Sequence, residues 1–158
     1  MEGLGKLIKL KRYVIKKKIY LIEDSAQAIG SYLNKKHVGN FGIAGSFSFS
    51  MPKLITMGQG GAIITNNKNL ARKLRLYKDF GRIKPGNDIH NYLGYNYKIT
   101  DLQSILASGQ LKLIKMKMKK KKQIYSRYKK NLKTNNSIRM IDFKKGETPW
   151  SVDIFSKK

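Results

Sequence analysis

Short apolar runs alternate with helix-like segments along this chain, and that alternation restricts the folds open to it. Ile19–Ile22 is a continuous apolar run of strand length that ends on Glu23 and Asp24. Ser46–Ser50 alternates Ser with Phe, and Ala62–Thr65 is another short run rich in β-branched residues. Strands separated by helical patterns are typical of α/β folds, in which the sheet is covered by helices. We therefore predict the α/β fold class, with Ile19–Ile22 as a buried strand.

Turn residues divide the chain between these runs. Residues 31–38 have the pattern of a short hairpin around Asn34-Lys35-Lys36. Pro85, followed by Gly and Asn, marks a loop in the middle of the chain. From about residue 138 to 155 the sequence returns to short strand-like pieces.

Two helices have recognisable starting signals. Asn66 or Asn67 can cap a helix over about residues 69–80 that stops at Gly81. Thr100 and Gln103 have the spacing of a capping box at the start of a long helix. The predicted inward stripe of the first helix consists of Leu70, Leu74 and Tyr77.

Composition excludes several classes of site. The 158 residues are 41% hydrophobic, which is enough for one domain with a core. The chain has no Cys, so disulfide scaffolds, Cys-based zinc sites and thiol nucleophiles are excluded. Only His37 and His90 offer imidazoles, and we expect no metal site. With no apolar run of about 18 residues and no secretory signal, we expect a cytoplasmic protein without a membrane partner.

The strong basic charge has two interpretations. The chain carries 34 basic and 9 acidic residues, a formal net charge of +25, and 28 of the basic residues are Lys. Arg is the residue favoured for bidentate recognition of phosphates and bases. The densest segment, 112–133, has eleven basic and no acidic residues, yet apolar residues continue through it. We interpret it as a helix with a solvated basic face and do not expect nucleic acid as a partner; attraction of polyanions is the alternative.

Two residues occupy positions suited to chemistry. Asp24 lies just past the carboxyl end of an apolar strand, where open α/β sheets present ligand-contacting groups. Lys53 lies between the Ser/Phe strand and the Gly-rich loop Gly58–Gly61, in apolar surroundings that favour a nucleophilic amine. Taken singly, an Asp at a strand end is more often a cap, and one lysine among 28 is rarely catalytic.

Four segments in order resemble motifs of one family. It is the DegT/DnrJ/EryC1/StrS family of pyridoxal-phosphate-dependent nucleotide-sugar aminotransferases, and the segments are Ile22–Gly30, Gly45–Lys53, Thr56–Ala62 and Gly94–Gln103. Thr148-Pro149-Trp150 with Val152-Asp153-Ile154 resembles the perosamine-synthase branch in particular. The resemblance extends from about Tyr20 to Ile154. It implies part of an aspartate-aminotransferase-like (type I) fold, a mixed sheet flanked by helices.

The resemblance implies a role for each matching residue. Asp24 matches the acid that pairs with the pyridinium nitrogen of the cofactor, and Gln27 lies beside the cofactor ring. Lys53 matches the lysine that binds the cofactor covalently and then moves the substrate proton. Ser48 matches a phosphate-binding serine. Asn96 matches a residue that reaches across a dimer interface to the partner's cofactor phosphate. Some relatives carry His in place of the lysine and are dehydratases, so Lys53 favours transamination.

Length separates this chain from the family it resembles. Family members are much longer, and the resemblance implies that the N-terminal half, with part of the phosphate cradle, is missing. On this interpretation residues 1–110 are the C-terminal portion of the large cofactor-binding domain, and 111–158 are a long basic helix and the beginning of a truncated small domain. The chain is then a fragment, a decayed product, or one half of a split enzyme that a separate chain completes.

The implied function is transfer of an amino group, from L-glutamate as donor, onto a keto-deoxy nucleotide sugar in polysaccharide biosynthesis. The expected cofactor is pyridoxal 5′-phosphate, and the expected assembly is a homodimer or a complex with a chain that supplies the missing half. Two other hypotheses remain: a non-catalytic basic module that binds polyanions through 112–133, and a catalytically silent remnant with partly covered sheet faces.

Overall fold

The computed structural model describes residues 4–84 and 86–156, so Pro85, which the sequence places in a loop, lies outside the described residues. The helices are α1 (Leu4–Lys16), α2 (Lys68–Lys78), α3 (Asp101–Lys112) and α4 (Ile114–Leu132). The strands are β1 (Ile22–Asp24), β2 (Tyr32–Leu33), β3 (Lys36–His37), β4 (Ala44–Ser48), β5 (Gly61–Ile64), β6 (Ile138–Met140) and β7 (Ile154–Ser156). Strands and helices alternate, and the predicted α/β class is confirmed.

A three-stranded mixed sheet organises the chain, in the order β1-β4-β5. β1 runs parallel to β4, and β5 runs antiparallel to β4. The register places Asp24 beside Ser46, and Ser48 beside Gly61. Because parallel strands end at the same edge of a sheet, the carboxyl ends of β1 and β4 lie side by side.

The core forms on one face of β4 and the turn that follows it. Phe47, Phe49, Ile55 and Met57 are buried together with Ala107 of α3. The Ser/Phe alternation explains this arrangement, since successive side chains of a strand point to opposite faces. The phenylalanines therefore pack inward, while the serines between them stay half-buried on the other face.

The predicted buried strand at Ile19–Ile22 is wrong in position and in burial. The strand begins at Ile22 instead, and Tyr20 and Ile22 are 80% and 69% exposed. β1 pairs only with β4, so its opposite edge has no neighbouring strand among the residues that the structure describes. An apolar run of this kind is buried when both faces of its sheet are covered, and the described residues leave Tyr20 and Ile22 uncovered.

The helix after β5 has the predicted cap but a weaker inward face. The side chain of Asn67 accepts a hydrogen bond of 2.9 Å from the backbone N–H of Leu70. The helix ends at Lys78, because Asp79 leaves helical geometry. In the predicted stripe Leu70 and Leu74 are half-buried, whereas Tyr77 is exposed, which corrects its assignment to the core.

The predicted long helix is present but broken in two. Thr100 and Gln103 form a complete capping box at the start of α3. Leu113 ends α3 and precedes α4, so the basic segment 112–133 contains the whole of a second helix rather than the continuation of the first. None of the residues of α4 is fully buried.

Two small antiparallel pairs complete the fold. β2 and β3 form the predicted hairpin, with Asn34 and Lys35 both at positive φ, as a tight type I′ turn requires. β6 and β7 pair near the end of the described chain. No described helix is long and apolar enough to cross a membrane.

Candidate functional site

Asp24 and Gln27 lie at the rim of a cavity beside the end of β1. Both side chains are exposed, and the Asp24 carboxylate accepts a hydrogen bond of 3.1 Å from the backbone N–H of Ala26. The cavity encloses about 430 Å³, and Trp150 also lines it. A carboxylate with one local hydrogen bond keeps acceptor positions open for a cationic or protonated ligand atom.

Glu23, next to Asp24 in β1, is buried and has a structural role. Its carboxylate accepts hydrogen bonds from the backbone N–H groups of Gly39, Phe41 and Gly42, at 2.7, 2.5 and 2.6 Å. These bonds fix the loop before β4 against β1. The sequence carried a signal for this role, because neighbouring residues of a strand face opposite sides, so that one acid of the Glu-Asp pair turns inward.

Lys53 is positioned by a turn that follows β4. Its backbone N–H donates to the carbonyl oxygen of Ser50 at 3.0 Å. The hydroxyls of Ser48 and Ser50 lie 3.1 Å apart and share a hydrogen bond. The half-buried Lys53 side chain extends to Trp150, where its Nζ lies 4.6 Å from the centroid of the indole ring. Ser50 thus links the Ser48 hydroxyl to the backbone of Lys53.

The glycine loop after Lys53 folds back against β4 and α3. The backbone N–H of Phe49 donates to the carbonyl oxygen of Gly60 at 2.8 Å. The side chain of Gln103 donates to the carbonyl oxygen of Gln59 at 3.1 Å. Gly58 and Gly60 both have positive φ, the conformation for which glycine is suited. The capping box of α3 therefore also anchors the loop that flanks Lys53.

Asn96 lies elsewhere on the chain. Its backbone pairs with Asp79 after α2, and its side chain is exposed. Within the described residues, Asn96 is thus paired with the segment that follows α2 and not with the group around Lys53. Asp79 itself is bonded to Arg82 at 2.6 Å and to Lys98 at 2.7 Å, and these donors lower the pKa of the Asp79 carboxyl.

Both histidines contact backbone groups of nearby residues. His37 Nε2 accepts a hydrogen bond from the backbone N–H of Gly30 at 2.9 Å, and its other nitrogen contacts the carbonyl oxygen of Val38. His90 Nδ1 contacts the carbonyl oxygen of Phe80 at 2.8 Å. Within residues 4–84 and 86–156, no three His, Asp or Glu side chains cluster closely enough to hold a metal ion.

Sequence reasoning connected Trp150 only with a family branch, and the structure brings it to the site. Trp150 joins the two predicted groups, because it lines the cavity with Asp24 and Gln27 and its ring lies against Lys53. A single aromatic residue after Pro149, far from the other motifs in the sequence, gave no positional signal.

The chain is similar to known proteins both in sequence and in structure. GDP-perosamine synthase of Escherichia coli O157:H7 is 32% identical over 139 residues, which are 88% of this chain and 38% of that protein. The structure of Helicobacter pylori PseC, an aminotransferase involved in the biosynthesis of pseudoaminic acid, superposes with a TM-score of 0.91 at 25% identity, over 99% of this chain and 43% of that one.

A more distant structure shares the fold. The Escherichia coli GDP-4-keto-6-deoxy-D-mannose-3-dehydratase with bound hydrated PLP superposes with a TM-score of 0.84 at 17% identity, over 95% of this chain and 43% of that one. The chain thus spans well under half the length of each of these three proteins.

The sequence model of one family covers almost the whole chain. It is described as the DegT/DnrJ/EryC1/StrS aminotransferase family, and it matches residues 4–155. That span includes Asp24, Lys53, the glycine loop and Trp150. The predicted family is confirmed: the chain belongs to the DegT/DnrJ/EryC1/StrS aminotransferase family.

Proposed function

We propose that this chain carries the lysine-bearing part of an aminotransferase that moves an amino group from L-glutamate to a keto-deoxy nucleotide sugar. One observation carries the proposal: the amine of Lys53 lies against Trp150, and Trp150 lines the same cavity as Asp24. Residues distant in sequence thus supply an amine and a carboxylate to one region. A transaminase needs this pair of groups on opposite parts of its cofactor.

The residues present fit pyridoxal phosphate, the cofactor that membership in this family indicates. Asp24 keeps free acceptor positions for a protonated ring nitrogen, and Ser48 offers a hydroxyl for a phosphate oxygen. The indole N–H of Trp150 is buried without a hydrogen-bond partner among the described residues, so a ligand oxygen is a suitable acceptor for it. When bound, this cofactor supplies an electron sink for the substrate carbanion.

Each side chain has a proposed action. Asp24 would hold a proton at the ring nitrogen, and Gln27 would lie beside the ring. Lys53 would hold the cofactor through its amine and, once released, would take and return the proton at the substrate carbon. Ser48 binds phosphate. Asn96, exposed and away from this group, is proposed to act at the site of a second copy of the chain.

The substrate class follows from the relatives and from Lys53. GDP-perosamine synthase is named for a GDP-linked sugar, and PseC is described as an aminotransferase of pseudoaminic acid biosynthesis; together they support a nucleotide-linked keto sugar as acceptor. A lysine at position 53 supports amino transfer over dehydration, because it can be displaced by an incoming amine and then act as the base. We propose L-glutamate as the donor and polysaccharide biosynthesis as the setting.

The chain is proposed to work as part of a larger assembly. We assign residues 1–110 to the large cofactor-binding domain and 111–158 to the start of the small domain. The central sheet supports a further segment, since among the described residues β1 and β5 each pair on one side only. Ile22 and Ile63 on these outer strands are also 69% and 56% exposed. Open strand edges with apolar side chains are surfaces to which other strands add. The proposed additions are the N-terminal half of the family fold and a second copy of the assembled unit.

The test uses pyridoxal phosphate and borohydride on the 158-residue chain, alone and together with a chain that supplies the N-terminal half. We expect a visible absorbance band that borohydride removes, and peptide mass analysis that places the reduced adduct on Lys53. Lys53→Met should abolish the adduct, whereas Lys98→Met should retain it. An adduct spread over several surface lysines, or none in either preparation, overturns the proposal.

Amino transfer is tested in the same preparation. Added L-glutamate should discharge the visible band and release one equivalent of 2-oxoglutarate, and a keto-deoxy nucleotide sugar should restore the band. Retention of the band in excess L-glutamate would contradict the assignment of the donor.

Polyanion binding is a weaker second candidate. Several lysines of the segment 112–133 have partners within the chain: Lys117 donates to the carbonyl oxygen of Leu54, and Lys121 to that of Trp150. Lys119 and Lys120 are exposed. If polyanion binding is the function, affinity for a DNA duplex falls steeply with salt and depends on these exposed lysines but not on Lys53.

A further inference from the structure

Trp150 has two unusual properties for a residue outside the predicted site. It is the only tryptophan in the chain. Its indole Nε1 is buried, yet it has no hydrogen-bond partner within the described ranges 4–84 and 86–156. Buried tryptophan N–H groups usually find an acceptor, because leaving such a donor unpaired costs free energy.

The face of the same ring has a defined neighbour. The Nζ atom of Lys53 lies 4.6 Å from the ring centroid. This distance is within the range in which an ammonium group is attracted by the negative face of an indole, the most favourable of the aromatic rings for this contact. Lys53 is half-buried, so the contact is only partly screened by water.

The segment that carries the ring is fixed to the loop after β1. Thr148 is buried, its hydroxyl donates to the carbonyl oxygen of Gly30 at 2.7 Å, and its backbone N–H donates to the Ser31 hydroxyl at 3.0 Å. Two residues earlier, the carbonyl oxygen of Gly146 accepts from the backbone N–H of Tyr32 at 2.8 Å. This segment is therefore held against the chain that continues directly from Asp24 and Gln27.

A second tie holds Trp150 from the side of α4. Lys121 donates to the backbone carbonyl oxygen of Trp150 at 3.1 Å. The indole is thus restrained in two ways. Lys121 of α4 bonds the backbone of Trp150, and Thr148 is bonded to the loop after β1. A ring held in this way can fix the place of a flexible lysine, because the long lysine side chain otherwise samples many rotamers.

We propose that Trp150 is a positioning residue for Lys53: its ring face holds the ammonium group next to the cavity that Trp150 lines, and its unpartnered indole N–H is a donor for an oxygen of the ligand bound there. The identity of that ligand rests on the proposed function, but the contact between ring and lysine does not.

The first experiment needs no cofactor. Since Trp150 is the only indole, tryptophan fluorescence of the chain reports this residue alone. Lys53→Met should change the intensity and the maximum of the emission, because it removes a cation from the ring face. Lys53→Arg should restore most of the wild-type spectrum.

The matched control is Lys98→Met, which removes a lysine lying over another ring, Phe80, at 4.4 Å. It should leave the emission unchanged, and circular dichroism should show equal secondary structure in all variants. Emission of Lys53→Met that superposes on the wild type would overturn the inference.

The second experiment measures how the reaction of Lys53 with the cofactor depends on the ring of Trp150. The yield of borohydride-trapped adduct on Lys53 is determined against pyridoxal phosphate concentration for the wild type, Trp150→Phe and Trp150→Leu. Loss of the ring contact should raise the half-saturating concentration about fivefold in Trp150→Leu. Trp150→Phe retains a ring but not the N–H, and an intermediate value is expected.

The two proposals fail in distinguishable ways. If the wild type forms no adduct, the proposed function fails, while the fluorescence comparison still decides whether Trp150 holds Lys53. If wild type and Trp150→Leu form the adduct at the same cofactor concentration, the proposed function stands and the positioning role of Trp150 is overturned.

Discussion

The carboxylate of Glu23 accepts a hydrogen bond of 2.7 Å from the backbone N–H of Gly39, and this contact joins β1 to the loop that precedes β4. Its other oxygen accepts from Phe41 and Gly42. A buried acid is thus the acceptor for three backbone donors that no strand or helix satisfies, and the alignment of β1 with β4 depends on it.

Glu23→Gln should therefore destabilise the chain although the side-chain shape is kept. The amide NH₂ group replaces an acceptor oxygen, so that at least one backbone N–H loses its partner. We expect a loss of about 2 kcal/mol in the free energy of unfolding, measured by urea denaturation. Asp24→Asn, at the exposed neighbouring position, is the control and should change stability by less than about 0.5 kcal/mol. Equal losses in both variants would contradict this role of Glu23.

Thr148→Val should loosen the segment that carries Trp150. The substitution preserves shape but removes the hydroxyl that donates to the carbonyl oxygen of Gly30 at 2.7 Å. We expect a loss of about 1–2 kcal/mol in the free energy of unfolding, and greater quenching of Trp150 fluorescence by acrylamide. Thr134→Val is the control, because Thr134 is exposed. Unchanged quenching in Thr148→Val would indicate that the other contacts of the segment are sufficient.

Acid should destabilise the segment around Asn96 through Asp79. Hydrogen bonds from Arg82 and then Lys98 lower the pKa of Asp79 from its ordinary value of 3.8. A carboxyl whose pKa is lower in the folded chain contributes stability above its unfolded pKa and loses that contribution as the pH falls toward the folded pKa. The free energy of unfolding of the wild type should therefore fall below pH 3.8, more steeply than that of Asp79→Asn.

This difference is measured by urea denaturation at a series of pH values through that range. Lys98→Met, which removes the second of the two donors, should give an intermediate slope. Parallel pH profiles for wild type and Asp79→Asn would show that the ion pairs of Asp79 do not contribute to stability.

Gly81 and Gly86 allow backbone strain to be separated from steric overlap. Both have positive φ, at 72° and 78°. A Cβ at Gly81 would overlap the carbonyl oxygen of Tyr92, whereas the described surroundings of Gly86 leave the corresponding space open. We expect Gly86→Ala to cost about 1 kcal/mol and Gly81→Ala more than about 3 kcal/mol in the free energy of unfolding. Similar values for the two would mean that the backbone of Tyr92 can move away from a Cβ at position 81 at little cost in free energy.

Local patterns predicted the elements around the site well. The Ser/Phe alternation predicted the strand β4, and Thr100 and Gln103 predicted the start of α3. Such signals are local, because a strand alternates every second residue and a cap involves neighbouring residues. The family motifs were similarly recognisable, although the roles of Asp24, Gln27, Ser48, Lys53 and Asn96 stay predictions that the experiments above test.

Contacts between distant segments were not predictable in the same way. The exposure of Tyr20 and Ile22 depends on what covers the faces of the sheet at β1, and hydrophobicity alone predicted burial there. The contact of Trp150 with Lys53 depends on hydrogen bonds from Thr148 to Gly30 and Ser31, more than one hundred positions away in the sequence. Tertiary pairing of this kind has no signature in a window of neighbouring residues.

The open edge of β1 has a thermodynamic consequence. Among residues 4–84 and 86–156, β1 is an edge strand that ends on Asp24, so a strand that adds there borders the residue that lines the cavity. A ligand held by Asp24 and by the added strand would bind the joined form more tightly than the separate chain. By linkage, the same ligand would strengthen the association of the strand by an equal factor. Ligand binding in the cavity and addition of a strand to β1 would then share one coupling free energy.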